Sequence, residues 1–82
     1  PEGVILGELS QAVFDAISKY TSFPWPILVT QCKRCQVDPI ALNEDAVEKV
    51  LPFIVEGVAR FTSPQKGELL RVELRGRTRV RL

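Results

Sequence analysis

The apolar residues of this chain change their period at Gly57, and that change limits the folds open to it more than any other feature. Up to Gly57 they recur every three or four positions, the repeat of helices that bury one face. Beyond Gly57 they alternate with charged residues, a pattern that predicts strands with one buried and one wet face.

Three helices are expected before the change. Leu6, Leu9, Val13, Ala16, Ile17 and Tyr20 form one stripe over about residues 6–20. Pro24 and Pro26 end that helix and open the next, where a first turn tolerates proline. Over about 25–36 the residues Trp25, Leu28, Val29, Cys32 and Cys35 or Gln36 keep helical spacing. Ile27-Leu28-Val29-Thr30 alone would also suit a buried strand; the longer window favours a helix, stopped by Asp38-Pro39. The third helix, about 43–56, has Asn43 as N-cap and Glu44 and Asp45 to complement the dipole of its first turn. Leu42 and Val47 stand at staple positions, and Val47, Val50, Leu51 and Ile54 face inward. Pro52 predicts a kink or a split into two short helices, and Gly57 a C-cap.

Strands are expected over about 58–61, 68–74 and 77–82, with a polar turn at 62–67. Leu70, Val72 and Leu74 alternate with Arg71, Glu73 and Arg75, while Thr78, Val80 and Leu82 alternate with Arg77, Arg79 and Arg81. A three-residue loop, Leu74-Arg75-Gly76, pairs Val72 with Thr78 and Leu70 with Val80, and puts Gly76 at the left-handed position such loops need. The result is an α+β fold of three helices followed by a small antiparallel β-meander, in a single domain spanning 1–82. Its sheet has one apolar face and one rich in arginine.

The turn Val37-Asp38-Pro39, the capped helix after Asn43, and Leu51 followed by Gly57-Val58 and a basic hairpin together resemble the winged-helix superfamily. That resemblance implies a nucleic-acid or protein interaction module, often dimeric. It makes the helix after Asn43 the recognition helix and the Arg75-Gly76-Arg77 or Lys66-Gly67 turn the wing tip. The outward residues of that helix are Glu44, Asp45, Glu48, Lys49 and Glu56, which would repel a DNA backbone. Either the basic sheet makes all the contact, or the fold binds protein.

Charge separates the two regions. Residues 1–57 hold four basic and eight acidic side chains, and residues 58–82 hold seven basic and two acidic ones, within a net charge of +1. Such asymmetry fits a surface that meets phosphates or an acidic partner. Lys66, Arg71, Arg75, Arg77, Arg79 and Arg81 are the candidate binding residues, with nucleic-acid backbone as the leading partner. Two bland or rival readings stand beside it: cations that protect a sheet edge, and arginines that pair with the acidic helix of a second copy in a homo-oligomer.

Chemistry-bearing motifs are few. The chain has no histidine, so no Ser-His-Asp or Cys-His site can be assembled within it. Glu44 and Asp45 look like paired acids but are explained by a helix N-terminus. No Gly-rich phosphate loop is present, and neither enzymatic activity nor a cofactor is expected. Cys32-Lys33-Arg34-Cys35 suits a thiol redox pair or half a zinc site shared between two chains; two small core residues on the Leu28 stripe are the plainer reading. Trp25 reads as an edge-of-core residue. No apolar run approaches the ~20 residues of a membrane span. The first residues lack the pattern of a signal peptide, so a cytoplasmic location is expected.

Overall fold

A computed structural model describes residues 5–78, which form four helices: α1 (Glu8–Ser18), α2 (Pro24–Arg34), α3 (Glu44–Phe61) and α4 (Pro64–Thr78). Among the described residues there is no β-strand. This overturns the α+β expectation, the winged-helix resemblance and the basic sheet together, since a wing requires a hairpin. The segments expected as strands over 58–61 and 68–74 are helical, as are Arg77 and Thr78. The rest of the third expected strand lies outside the described residues.

Packing and capping explain why the segment after Gly57 is helical. α3 does not stop at Gly57 but continues to Phe61, because Val58 extends the buried Val47, Val50, Leu51, Ile54 stripe by a further four residues. Gly57 serves packing instead of capping: a Cβ there would stand 3.3 Å from Gln31 Nε2 and 3.5 Å from Ile27 Cγ2 of α2. α3 ends where Thr62 folds over it, with its hydroxyl donating to the Val58 carbonyl at 2.7 Å.

What reads as a polar turn is the next helix start. Ser63 Oγ accepts from Lys66 N at 3.2 Å and the Ser63 carbonyl accepts from Gly67 N at 3.1 Å, which makes Ser63 an N-cap with Pro64 in the first helical position. In α4 the buried residues are Gly67, Leu70 and Leu74, spaced three and four apart. Val72, which a hairpin would bury beside Leu70 and Leu74, is 59% exposed. Leu, Glu, Arg, Lys and Gln dominate α4, and all are good helix formers. Gly67 sets the depth of packing: a Cβ would lie 2.8 Å from Ala59 Cβ and 3.2 Å from the Val55 carbonyl. The backbones of α3 and α4 therefore approach closely, and α4 doubles back along α3 through a two-residue link.

α1 and α3 each pack against all three other helices, whereas α2 and α4 do not touch. The core fills the space between them, with Ile17 from α1, Leu28 from α2, Ile54 from α3, and Leu70 and Leu74 from α4 among its largest side chains. Trp25 is half-buried and meets Phe14 edge-on at 6.3 Å. Pro52 does not divide α3. Pro52 and Glu48 are both exposed, so water can satisfy the Glu48 carbonyl that proline leaves without a donor.

The link between α2 and α3 is held at both ends. α2 closes with Gln36 N donating to the Lys33 carbonyl and Val37 N to the Cys32 carbonyl, the paired bonds of a Schellman motif. Gln36 takes the left-handed position at φ 58°, which glycine usually fills. Further on, Ile40 N donates to Asp38 Oδ1 and Leu42 N to the buried Ser10 Oγ at 2.9 Å. Gly7 N donates to the Ile40 carbonyl at 2.8 Å, so the loop is pinned to the start of α1. Asn43 then caps α3, its side chain accepting from Ala46 N at 2.8 Å. No helix among the described residues is long and apolar enough to cross a membrane.

Candidate functional site

Three features of the surface carry chemistry: an apolar groove, an ion-pair cluster and an outward apolar seam.

The groove lies between α2 and the end of α3. Phe23, Pro26, Ile27, Thr30, Gln31 and Phe61 line a cavity of about 270 Å³. Proline at the start of α2 and the spacing 23, 26, 27, 30, 31 place one face of that helix along the groove. Phe23 is 65% exposed and Phe61 is 73% exposed, an unusual position for two phenylalanines on one depression. Gly57 lets Gln31 and Ile27 close against α3 behind them. Gln31 Oε1 accepts from Arg34 Nη1 at 3.1 Å, and the Arg34 guanidinium also lies 5.0 Å from the centre of the Phe53 ring. A cation thus bonds to Gln31, a polar residue of the groove's lining.

The cluster joins α1 to α4. Tyr20 Oη donates to Glu73 Oε1 at 3.0 Å. Glu73 Oε2 lies 2.7 Å from Arg77 Nε and 3.2 Å from Lys19 Nζ, neither aligned as a hydrogen bond, so ion pairing holds it. The Glu73 side chain is only 18% exposed. Burial pushes its carboxyl pKa up, but Lys19, the Tyr20 hydroxyl and Arg77 together outweigh burial and hold it below the usual range. The Tyr20 hydroxyl is pushed up, first by burial and then by Glu73. This arrangement fastens α4 to the end of α1 and offers no reactive group.

Among the described residues, Lys66, Arg71, Arg75 and Arg77 do not form one surface. Arg71 is paired with Glu68 one turn earlier, and Arg77 with Glu73. Lys66 and Arg75 are exposed, but nine positions apart on a helix of 3.6 residues per turn they face opposite sides. Arg79 and Arg81 lie outside the described residues. The basic end of α4 instead meets the end of α1, where Lys19 and Arg77 share the Glu73 carboxylate.

Cys32 and Cys35 sit in the core as free thiols. Burial, then the neighbouring Cys35 and Asp38, push the Cys32 thiol up to about 11. The Cys35 thiol points to the Lys49 carbonyl at 3.9 Å. Among the described residues no three cysteine or acidic side chains gather as a metal-ligand set.

The outward face of α4 was missed by period-two reasoning. Leu69 (57% exposed) and Val72 point to solvent, and nothing lies within 4 Å of a Cβ built on Gly76. The signals available for it were Glu68 and Arg71, and Glu73 and Arg77, at the three- and four-residue spacings of helical ion pairs. Phe23 and Phe61 had no such signal, since exposure of a single aromatic is not written in local sequence.

Comparison of the chain with protein-family models, with curated proteins and with solved structures found no match.

Proposed function

We propose that this chain is a non-enzymatic protein-interaction module whose α2–α3 groove receives the apolar side chains of a partner's helix flanked by acidic residues. The observation that carries this reading is the pair of exposed phenylalanines on the walls of a 270 Å³ cavity. Fully burying a phenylalanine is worth about 1.5–3 kcal/mol, so covering the exposed parts of two contributes roughly 2–4 kcal/mol, the share of two anchor residues in a larger contact. Arg34, at the groove's edge, supplies the charge that an acidic flank complements. Two observations support the absence of catalysis: the sequence has no histidine, and the Cys32 thiol is core-bound and weakly acidic.

Phosphate binding by the basic end of the chain is the competing reading. It has the arginines of α4 in its favour, and against it the pairing of Arg71 and Arg77 with glutamates of the same helix.

The test is fluorescence anisotropy with three labelled 16-residue peptides, the first two presenting leucine at helical i, i+4 and i+7 positions and the third the same residues without that spacing. One has glutamate flanks, one lysine flanks, and one a scrambled order. The acidic peptide should bind best, and Phe23→Ala and Phe61→Ala should each weaken it at least fivefold without lowering the melting temperature. Equal affinity for all three peptides, or indifference to both substitutions, would overturn the groove reading. A labelled DNA duplex across a salt series, added in parallel, would report steep salt dependence if phosphates were the ligand.

A further inference from the structure

We infer that α4 is a self-docking surface on which a second copy of this chain packs antiparallel, about a two-fold axis near Val72. The inference rests on α4 alone and is independent of the groove.

A helix on the outside of a small bundle normally presents charged and polar residues to water. α4 instead presents Leu69 and Val72, more than half exposed, followed by Gly76, where the backbone is bare. The spacings 69, 72, 76 place all three on one line along the helix, pointing away from the buried Gly67, Leu70 and Leu74. This is the narrow apolar seam of helices that pair, with a small residue where the neighbour can come close.

The charges beside the seam select the occupant. Glu68 and Arg75 are both exposed and seven residues apart, two helical turns or about 10.5 Å, so they lie on the same flank with opposite sign. In an antiparallel pair a flank meets the same flank of the other helix, run in reverse. Turning α4 about an axis near Val72 therefore brings Glu68 beside Arg75 of the second copy, and Arg75 beside its Glu68. The same operation sets Val72 against Val72 and Leu69 toward Gly76. The surface complements itself, as a two-fold interface must. Arg75 forms no salt bridge among the described residues and reaches Glu68 of its own helix only at longer range; in the pair it meets the second copy's Glu68 directly, which shares its carboxylate with Arg71.

One face of a 15-residue helix is about 22 Å long and buries less than the roughly 1,200 Å² of an ordinary stable interface. The dimer is accordingly weak, with a dissociation constant between about 10 µM and 1 mM.

Charge swaps test the geometry by sedimentation equilibrium of the full chain. Glu68→Arg sets two arginine pairs against each other, and Arg75→Glu two glutamate pairs. Each variant alone should dimerise at least fivefold more weakly than wild type. Mixed together they should associate as a heterodimer within about threefold of wild type, because each then meets its complement. Val72→Arg should abolish association, and Phe23→Ala with Phe61→Ala should leave it unchanged. Melting temperatures of dilute samples, monomeric throughout, show that the variants remain folded. A wild-type chain that stays monomeric to 2 mM would overturn the inference. So would single swaps that self-associate like wild type, a mixture that gains nothing, or a dimer lost with the groove phenylalanines.

Discussion

Replacing Gly76 by alanine separates the helical account of residues 64–78 from any hairpin account by the sign of one number. In α4 an alanine Cβ at this position meets nothing within 4 Å, and the backbone is not left-handed. The substitution then only removes glycine's backbone entropy, worth about 0.8–1 kcal/mol in a helix interior. Gly76 stands in the last turn, where fraying reduces the gain to roughly 0.5–1 kcal/mol. For a domain of this size that raises the melting temperature by about 2–8 °C. Gly67→Ala is the internal control. Its Cβ would fall 2.8 Å from Ala59 Cβ, so α3 and α4 must separate, and a loss of about 1–3 kcal/mol outweighs the same propensity gain. Both effects are read by far-UV circular dichroism through thermal and urea denaturation, at micromolar protein where the chain is monomeric. Destabilisation by Gly76→Ala of about 1 kcal/mol or more, as for a glycine forced to positive φ, would refute the reasoning.

Three other outcomes follow from single sites. Glu73→Gln should cost about 1 kcal/mol at pH 7 by removing the charge that Lys19 and Arg77 hold. Because the folded carboxyl titrates below its unfolded value, this contribution is present above about pH 4.3 and lost as the pH falls through the lower folded value. Urea titrations should therefore show the deficit of the variant closing below about pH 4; a deficit independent of pH would contradict it. For Cys32 the sign is opposite: the folded thiol titrates near 11, so its contribution is full below about pH 8.5 and disappears as pH rises to 11. Cys32→Val should keep the alkaline stability that wild type loses, and a thiol reagent at pH 8 should find both cysteines only after unfolding. Gln36→Gly should stabilise the chain by about 1 kcal/mol in chemical denaturation, since glycine relieves the φ of 58° at the end of α2; no gain would deny the strain.

How far the sequence was legible depends on which signals were local. α1, α2 and α3 were visible because one stripe of each is buried and the stripe is long: Val13, Ala16 and Ile17 in α1, and Val47 through Ile54 in α3. Asn43 announced itself by its acidic first turn, and it caps α3 as expected. The last third misled because Leu70, Val72 and Leu74 satisfy a period of two while Gly67, Leu70 and Leu74 satisfy the helical repeat, and only burial decides between them. Gly57, Gly67 and Gly76 read in the sequence as punctuation. Gly57 and Gly67 are instead places where helices touch, a tertiary fact that no local pattern contains. The Ser63-Pro64 start and the Glu68–Arg71 and Glu73–Arg77 spacings were the correctives present in the sequence. Of the candidate site, the arginines were legible as charge but not as partners of their own glutamates. The groove was not legible at all, because Phe23 and Phe61 meet only after α2 and α3 have packed.

The most direct measurement of the interaction account is a ¹H–¹⁵N correlation spectrum of the assigned protein, titrated in turn with the glutamate-flanked peptide and with a DNA duplex at physiological salt. The account predicts saturable shifts from the peptide at Phe23, Ile27, Thr30, Gln31 and Phe61, with α4 unmoved, and no saturable response to the duplex. Shifts from the duplex centred on Lys66, Arg71, Arg75 and Arg77, with a silent groove, would contradict it.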